Sequence, residues 1–182
     1  MTSNLLLPAG WFTDADIEYY QDIYERRVSV GGTTAEIGLY LGRSLMSVSE
    51  IIRRKNITVI CVDDWSRYGG DPTLDRLQAF RKAAEAFGIL EQCRIANVRS
   101  PRAAEFVPDA SLDFAFIDAN HSYEAVKADI EGWEPKIKKG GWIGGHDYNS
   151  RTDPGVPEAV NEKYPKTRLR LHPDTTIWLV QL

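Results

Sequence analysis

Two short stretches of the chain carry the side chains best suited to chemistry. "FIDANH" places Asp118, Asn120 and His121 directly after an apolar run, and "IGGHDY" places His146 and Asp147 after another. Carboxylates and imidazoles together suit a divalent cation, with a preference for hard ions where oxygen ligands dominate. Either histidine also suits proton transfer, because an unperturbed imidazole has a pKa of about 6.5. These stretches predict a catalytic or metal-binding site.

The same residues also have structural interpretations. Asp118 could cap the helix that follows it, and His146 could be an interior histidine whose polar atoms are satisfied. A single polar strand end would favour these structural roles. The presence of two such strand ends, on strands expected to be neighbours, favours a functional site instead.

A glycine-containing turn follows an earlier predicted strand in "AEIGLYLGRS". Gly38 and Gly42 flank the turn, and Ser44 lies in the first turn of the next helix. Glycine lets a ligand approach the backbone, and the start of a helix offers free N–H groups. The preceding carboxylate, Glu36, disfavours a dinucleotide pyrophosphate and favours a cationic or amine-bearing ligand. An ordinary strand–helix turn is the alternative for this motif.

The next predicted strand ends in "CVDDWS". Asp63 comes 21 residues after Gly42, close to the spacing at which an acid accepts ribose hydroxyls. Trp65 could stack near an adenine, although a loop tryptophan also packs against the core. We therefore predict a nucleoside site at this strand end.

The elements that must position these residues alternate along the chain. Helical spacing predicts helices over 14–26, 44–54, 73–87, 124–137 and 156–164. Apolar runs predict strands over 34–39, 57–62, 93–98, 112–117, 142–143, 167–172 and 175–181. Strands without polar alternation, separated by amphipathic helices, indicate a doubly wound α/β fold whose mostly parallel sheet is covered on both faces. The last two strands lie too close in sequence for a helical crossover, so they should pair antiparallel.

Size and composition limit the class of protein. The 182 residues, 43% hydrophobic and 26% charged, predict one globular domain over 1–182, with an N-terminal helical extension at 1–30. The net charge of -4 argues against a nucleic-acid partner. The start of the chain lacks the basic region of a secretory signal, and no apolar run reaches membrane-spanning length, so we expect a cytoplasmic protein without a membrane partner. A homodimer remains open.

Taken together, four stretches resemble class I S-adenosylmethionine-dependent methyltransferases. They are "AEIGLYLGRS", "VICVDDWS", "LDFAFIDANHSYEAVKADIEGWEPKIKKGGWIGGHDY" and "PGVPEAV". The likeness covers roughly residues 34–163 and is closest to small bacterial enzymes similar to catechol, caffeoyl-CoA and macrolide sugar O-methyltransferases. It implies a Rossmann-like sheet of seven strands, the last of them antiparallel.

The resemblance also implies roles for individual residues. The first motif would hold the methionine end of S-adenosylmethionine, Asp63 its ribose, and the segment after the third strand its adenine. The implied cofactor-binding residues are Glu36, Gly38, Gly42, Ser44, Asp63, Trp65, Asn97, Ser100 and Asp118. The implied metal ligands, for Mg²⁺ or another divalent cation, are Asp118, His146 and Asp147. The implied catalytic residues are Asp118, His121 and His146. His121 stands where the family usually has a lysine base, and His146-Asp147 replaces an Asp-Asn pair.

The resulting hypothesis is O-methylation of a small-molecule acceptor, such as a sugar, a phenol or a secondary metabolite. With a bound cation, the ion would lower the pKa of the acceptor hydroxyl and His121 would accept its proton at neutral pH. Without a cation, His121 or His146 would act as the base alone. Two further hypotheses remain. One is a nicotinamide-dependent oxidoreductase, which the missing G-x-G-x-x-G disfavours. The second is an inactive nucleoside-binding or regulatory scaffold, which a salt bridge from Arg43 or Arg102 to Asp118 and His121 would support.

Overall fold

The computed structural model of the chain describes residues 5–66 and 75–182. Its strands are β1 Thr33–Ile37, β2 Thr58–Asp63, β3 Cys93–Asn97, β4 Leu112–Ile117, β5 Ile137–Gly145, β6 Arg170–Leu171 and β7 Trp178–Gln181. Its α-helices are α1 Asp14–Arg27, α2 Arg43–Ser47, α3 Ser49–Lys55, α4 Arg76–Ala86, α5 Tyr123–Trp133 and α6 Gly155–Lys163. No helix among these described residues combines the length and the apolar character needed to cross a membrane.

The seven strands form one sheet in the order β3-β2-β1-β4-β5-β7-β6. Strands β1 to β5 are parallel to one another, and β7 runs antiparallel to both β5 and β6. The order reverses between β1 and β4, which makes this pair the switch point where open α/β sheets bind ligands. The predicted Rossmann-like sheet and its antiparallel last strand are confirmed.

Helices cover both faces of this sheet, as predicted. One apolar core lies under α1 to α4, and the other lies under α5 and α6. In strand β1, successive side chains point to opposite faces of the sheet and so belong to different cores. Thr34 and Glu36 bond to tyrosines of α1, whereas Ala35 and Ile37 belong to the opposite core.

Some predicted boundaries were wrong. The helix predicted over 44–54 is two helices that meet at Val48. The helix predicted over 124–137 ends earlier, because Pro135 has no N–H to continue it and instead forms a single 3₁₀ turn. Ile137 therefore opens β5. The helix predicted to start at residue 73 is seen from Arg76, and residues 73–74 lie outside the described part.

Candidate active site

Backbone hydrogen bonds continue past the carboxyl ends of the central strands and join the residues that follow them. The amide of Gly38 donates to the carbonyl of Val62 (2.8 Å), and the amide of Asp118 donates to that of Ile37 (2.7 Å). The amide of His146 donates to the carbonyl of Ile117 (3.2 Å). Hydrogen bonding thus brings the glycine turn and the two polar strand ends to one edge of the sheet, as the sequence predicts.

Gly38 is required at this edge for steric reasons. It has a φ of +89°, and a Cβ placed on it would lie 2.0 Å from the carbonyl oxygen of Asp118. Only glycine combines that backbone conformation with so close an approach. The turn after β1 therefore lies directly against the residue that ends β4.

Glu36 is fully buried below the glycine turn, and both of its oxygens are engaged. The Tyr20 hydroxyl donates to one oxygen at 3.0 Å, and the Ser44 hydroxyl donates to the other. Burial raises the pKa of Glu36 to about 7, although these two hydrogen bonds lower it. Two of the predicted cofactor ligands, Glu36 and Ser44, thus bond to each other. Sequence reasoning did not identify Tyr20 as their partner.

Asp63 shapes the same turn from the end of β2. One of its oxygens accepts from the amides of Leu39 and Tyr40, both at 2.9 Å, and the other accepts from the amide of Trp65 at 2.7 Å. The Trp65 indole donates to the carbonyl of Tyr40 at 3.0 Å and packs on Phe80, with ring centroids 5.6 Å apart. The Trp65 ring therefore packs against the core, which is the structural alternative to stacking on an adenine.

The two residues predicted near an adenine have different surroundings. Asn97 is exposed at the end of β3 and lies opposite Asp63 in the register of the two strands. The Ser100 hydroxyl donates to Asp129 at 2.5 Å and accepts from the Trp133 indole at 2.8 Å. Asn97 is therefore open to a ligand, whereas the Ser100 side chain is bonded to helix α5.

Three side chains form a compact cluster where β4 and β5 end. Nε2 of His121 lies 3.3 Å from Oδ1 of Asp118 and 3.4 Å from Oδ2 of Asp147. Ligand atoms of all three residues lie within 4.8 Å of one another. We call Asp118, His121 and Asp147 the acid–imidazole cluster.

His121 starts as a cation in this arrangement. The bond to Asp118, with further attraction from Asp147 and Asp153, raises the pKa of His121 to about 9, although burial opposes the shift. The expectation that His121 has an unperturbed pKa is therefore wrong for this state. The charged ring lies between two carboxylates, which is the place a metal cation would take.

A third carboxylate contacts the other side of the ring. Nδ1 of His121 lies 3.2 Å from Oδ1 of Asp153, in the loop between β5 and α6. Sequence reasoning missed Asp153. The only sequence signal was its place in the "YNSRTDPGVPEAV" loop that leaves a polar strand end.

His146, the third predicted metal ligand, contacts the acid–imidazole cluster only through Asp147, and its role as a ligand stays a prediction. Its Nε2 lies 3.4 Å from Oδ2 of Asp16, its Nδ1 lies 3.3 Å from Oδ2 of Asp147, and its ring packs on Phe12. Burial on its own lowers the pKa of His146, but pairing with Asp147 and Asp16 outweighs it and raises the pKa to about 10. His146 is therefore a buried imidazole between two carboxylates, although its Nε2 makes no hydrogen bond of good geometry among the described residues.

The cap of helix α5 and the pairing of Arg43 are also visible. Helix α5 is capped by Ser122, whose hydroxyl accepts from the amide of Ala125, so Asp118 does not cap it. The Arg43 guanidinium donates to backbone carbonyls of the N-terminal segment. Within residues 5–66 and 75–182, no ion pair joins Arg43 or Arg102 to the acid–imidazole cluster. The salt bridge that would support an inactive scaffold is not seen there.

Comparisons with known proteins agree with this geometry. A family model described as "Methyltransferase domain" matches residues 35–148. An uncharacterised protein of Sinorhizobium fredii, y4gI, is 25% identical over 123 residues, which cover 64% of this chain. The match spans 13% of the length of that curated relative.

Solved structures share the fold at low sequence identity. The TDP-rhamnose 3'-O-methyltransferase CalS11, an enzyme in calicheamicin biosynthesis, is 19% identical with a TM-score of 0.68, and the match covers 92% of this chain and 78% of that one. A candidate caffeoyl-CoA O-methyltransferase from Staphylococcus aureus is 18% identical with a TM-score of 0.69, over 94% of this chain and 84% of that one. At these identities the likeness establishes the fold alone.

Proposed function

Because this chain belongs to the methyltransferase-domain family, we propose that it methylates a hydroxyl group of a small molecule with S-adenosylmethionine as the methyl donor. The family match and the strand order confirm the class I S-adenosylmethionine-dependent methyltransferase predicted from the sequence. The observation that carries the proposed O-methylation is the acid–imidazole cluster beside Gly38 at the switch point. It offers both a proton acceptor and carboxylates to orient a hydroxyl.

The residues at the ends of β1 and β2 would hold the methyl donor. Gly38 leaves space against the backbone at the switch point, and the Asp63 carboxylate faces the turn where a ribose would lie. Asn97 is exposed at the next strand end. These positions support a nucleoside lying across β1, β2 and β3, with its methyl group directed at the acid–imidazole cluster.

His121 is the residue we propose to accept the acceptor's proton, at Nε2. In the described state that nitrogen carries a proton, because two carboxylates face it. The ring must release this proton before it acts as a base. Much of the rate would come from holding the acceptor oxygen and the methyl group in line, which removes the entropic cost of bringing them together.

The acid–imidazole cluster also fits a divalent cation, because two carboxylates and one imidazole nitrogen converge within 4.8 Å. Asp118 and Asp147 would hold the ion, with His121 beside them. When bound, Mg²⁺ or another divalent cation would supply the positive charge that the imidazolium supplies now and would lower the pKa of a coordinated hydroxyl.

Calorimetric titration tests the methyl donor. Asp63→Ala should weaken the binding of S-adenosylmethionine and of its demethylated product at least about tenfold, since a hydrogen-bonded site that loses its partner loses about 1.4 kcal/mol or more. Asp64→Ala is the matched control, because that neighbouring carboxylate pairs with Arg99 instead. Equal losses in the two variants would contradict the assignment, and binding of NAD in place of S-adenosylmethionine would favour the oxidoreductase.

The same method tests the cation. Titration with Mg²⁺ or Mn²⁺ in buffers of different ionisation enthalpy should show release of about one proton per ion, because the ion displaces the proton that His121 holds between the two carboxylates. Asp118→Asn should abolish this binding, whereas Asp64→Asn, which removes a carboxylate that pairs with Arg99, should not. Cation binding without proton release would refute the competition between ion and proton.

The acceptor itself is proposed from chemistry alone. A hydroxyl-bearing small molecule suits a site of carboxylates and imidazole, and the net charge of -4 gives no support for a nucleic acid. We also propose a cytoplasmic location without a membrane partner. A screen of sugars, phenols and other hydroxylated metabolites, with radiolabelled methyl donor, would identify the substrate class.

A further inference from the structure

Asp153 contacts His121 on the side of the ring that faces away from the acid–imidazole cluster. Its Oδ1 lies 3.2 Å from Nδ1, while Nε2 lies between Asp118 and Asp147. The two ring nitrogens of an imidazole point in different directions and only one carries the proton in the neutral form. Whatever holds Nδ1 therefore decides where Nε2 points and which nitrogen keeps the hydrogen.

The Asp153 carboxylate is itself held in place. Its other oxygen, Oδ2, accepts from the Ser150 hydroxyl at 2.7 Å and from the Thr152 hydroxyl at 2.6 Å. These two bonds occupy Oδ2 and leave Oδ1 directed at His121. The loop that supplies all three residues thus presents one free acceptor atom to the ring.

Gly155 fixes the position of this loop relative to His121. A Cβ on Gly155 would lie 2.6 Å from the carbonyl oxygen of His121 and 2.4 Å from the amide nitrogen of Tyr123. The start of α6 is therefore in direct backbone contact with the segment that carries the histidine. An ion pair between Lys127 and Glu162 (2.7 Å) joins the two helices further along.

We propose that Asp153 is a positioning residue, which accepts Nδ1–H of His121 and so keeps Nε2 directed at the Asp118–Asp147 pair as the proton-accepting nitrogen. This inference rests on the proposed methyl transfer for its catalytic meaning. The orientation of the ring is a property of the protein alone. Partners on the far side of a functional histidine commonly contribute about 10–100-fold to activity or to metal affinity.

The first test is the Nδ1–H proton of His121 in the full chain, labelled with ¹⁵N-histidine and measured without substrate. The chain has three histidines, and His121→Gln assigns the resonance. We expect a protected Nδ1–H proton in the wild type, its loss in Asp153→Ala and its retention in Glu158→Ala. Glu158 is the matched control, an exposed carboxylate in the first turn of α6.

The second test is kinetic. Asp153→Ala should lower kcat by about 10–100-fold and leave KM for S-adenosylmethionine within about twofold, because Asp153 lies outside the proposed donor site at the ends of β1 to β3. Asp153→Asn keeps the shape and one acceptor oxygen but not the charge. It should give an intermediate kcat and an Nδ1–H resonance shifted by the weaker hydrogen bond. This variant carries the test if Asp153→Ala does not fold.

Several results would overturn the proposal. They are a wild type without a protected Nδ1–H proton, an unchanged resonance in Asp153→Ala, or wild-type resonance and kcat in Asp153→Asn. Failure of the proposed function would look different. It would be the absence of S-adenosylmethionine binding and of methyl transfer to every acceptor, while the Nδ1–H resonance still responded to Asp153→Ala.

Discussion

The buried ion pair between Asp16 and His146 joins helix α1 to the end of β5. The two side chains are 4% and 8% exposed, and Nε2 of His146 lies 3.4 Å from Oδ2 of Asp16. His146→Gln would leave Asp16 as a buried carboxylate without a cationic partner. Breaking a buried pair by removing one member costs about 3 to 5 kcal/mol, so we expect a loss of that size in the free energy of unfolding at pH 6.

Burial lowers the pKa of His146, but Asp147 and then Asp16 raise it, and the net shift gives the sign of the whole contribution of this histidine to stability. The pKa of His146 rises from 6.5 in the unfolded chain to about 10 in the folded protein. At about 1.36 kcal/mol per unit, this shift corresponds to at most about 5 kcal/mol. The folded state holds the proton that the unfolded state has lost, so the stabilisation is complete below pH 6.5 and disappears as the pH rises through 10.

Urea unfolding in the presence of EDTA measures both the loss of stability in His146→Gln and the change of that loss with pH. His121 also has a raised pKa, so the difference between wild type and His146→Gln at each pH isolates His146. A double-mutant cycle with Asp16→Asn separates the pair from the cap that Asp16 forms with Thr13. Asp22→Asn, which removes an exposed ion pair on the same helix, should cost less than about 1 kcal/mol. A loss below about 1 kcal/mol for His146→Gln at pH 6, or a difference that does not shrink by pH 10, would refute the reasoning.

Three further predictions concern stability and ligand binding. Burial raises the pKa of Asp129 to about 6. Asp129→Asn should therefore raise the free energy of unfolding at pH 8 by up to about 3 kcal/mol, and this gain should vanish below pH 4. Thermal unfolding at both pH values checks this prediction. Lys55 is buried and donates to three carbonyls at the end of α1, so Lys55→Met should cost about 2 to 3 kcal/mol, measured by urea unfolding. Gly38→Ala should abolish S-adenosylmethionine binding in calorimetry, because its Cβ would collide with the carbonyl of Asp118; near-wild-type affinity would show that the turn can move.

The sheet was predictable from the sequence because its strands are buried on both faces. The runs "ITVICV" and "LDFAFI" have no polar alternation, which indicates a parallel sheet under helices. A strand ending on Asp118 and another ending on His146 then had to meet at one edge. The predicted end of helix α5 was wrong for a local reason, because Pro135 interrupts an apolar spacing that otherwise continues to Ile137.

The partners of the site residues were not predictable, because they come from elsewhere in the chain. Asp16, on helix α1, pairs with His146. Tyr20, on the same helix, donates a hydrogen bond to Glu36. The spacing of residues 14–26 predicted the helix, but spacing does not tell which strand end its polar side chains reach. The N-terminal helix is thus part of the support beneath the site.

The two histidines at the strand ends have different surroundings, which only the structure reveals. Each imidazole lies near two carboxylates or more, so charge alone does not distinguish them. Exposure does, because the His121 side chain is 30% exposed and that of His146 is 8% exposed. A substrate hydroxyl can reach only a ring that meets solvent. This difference is why we propose His121 for proton transfer, whereas His146 contacts Asp16 of helix α1 and Asp147.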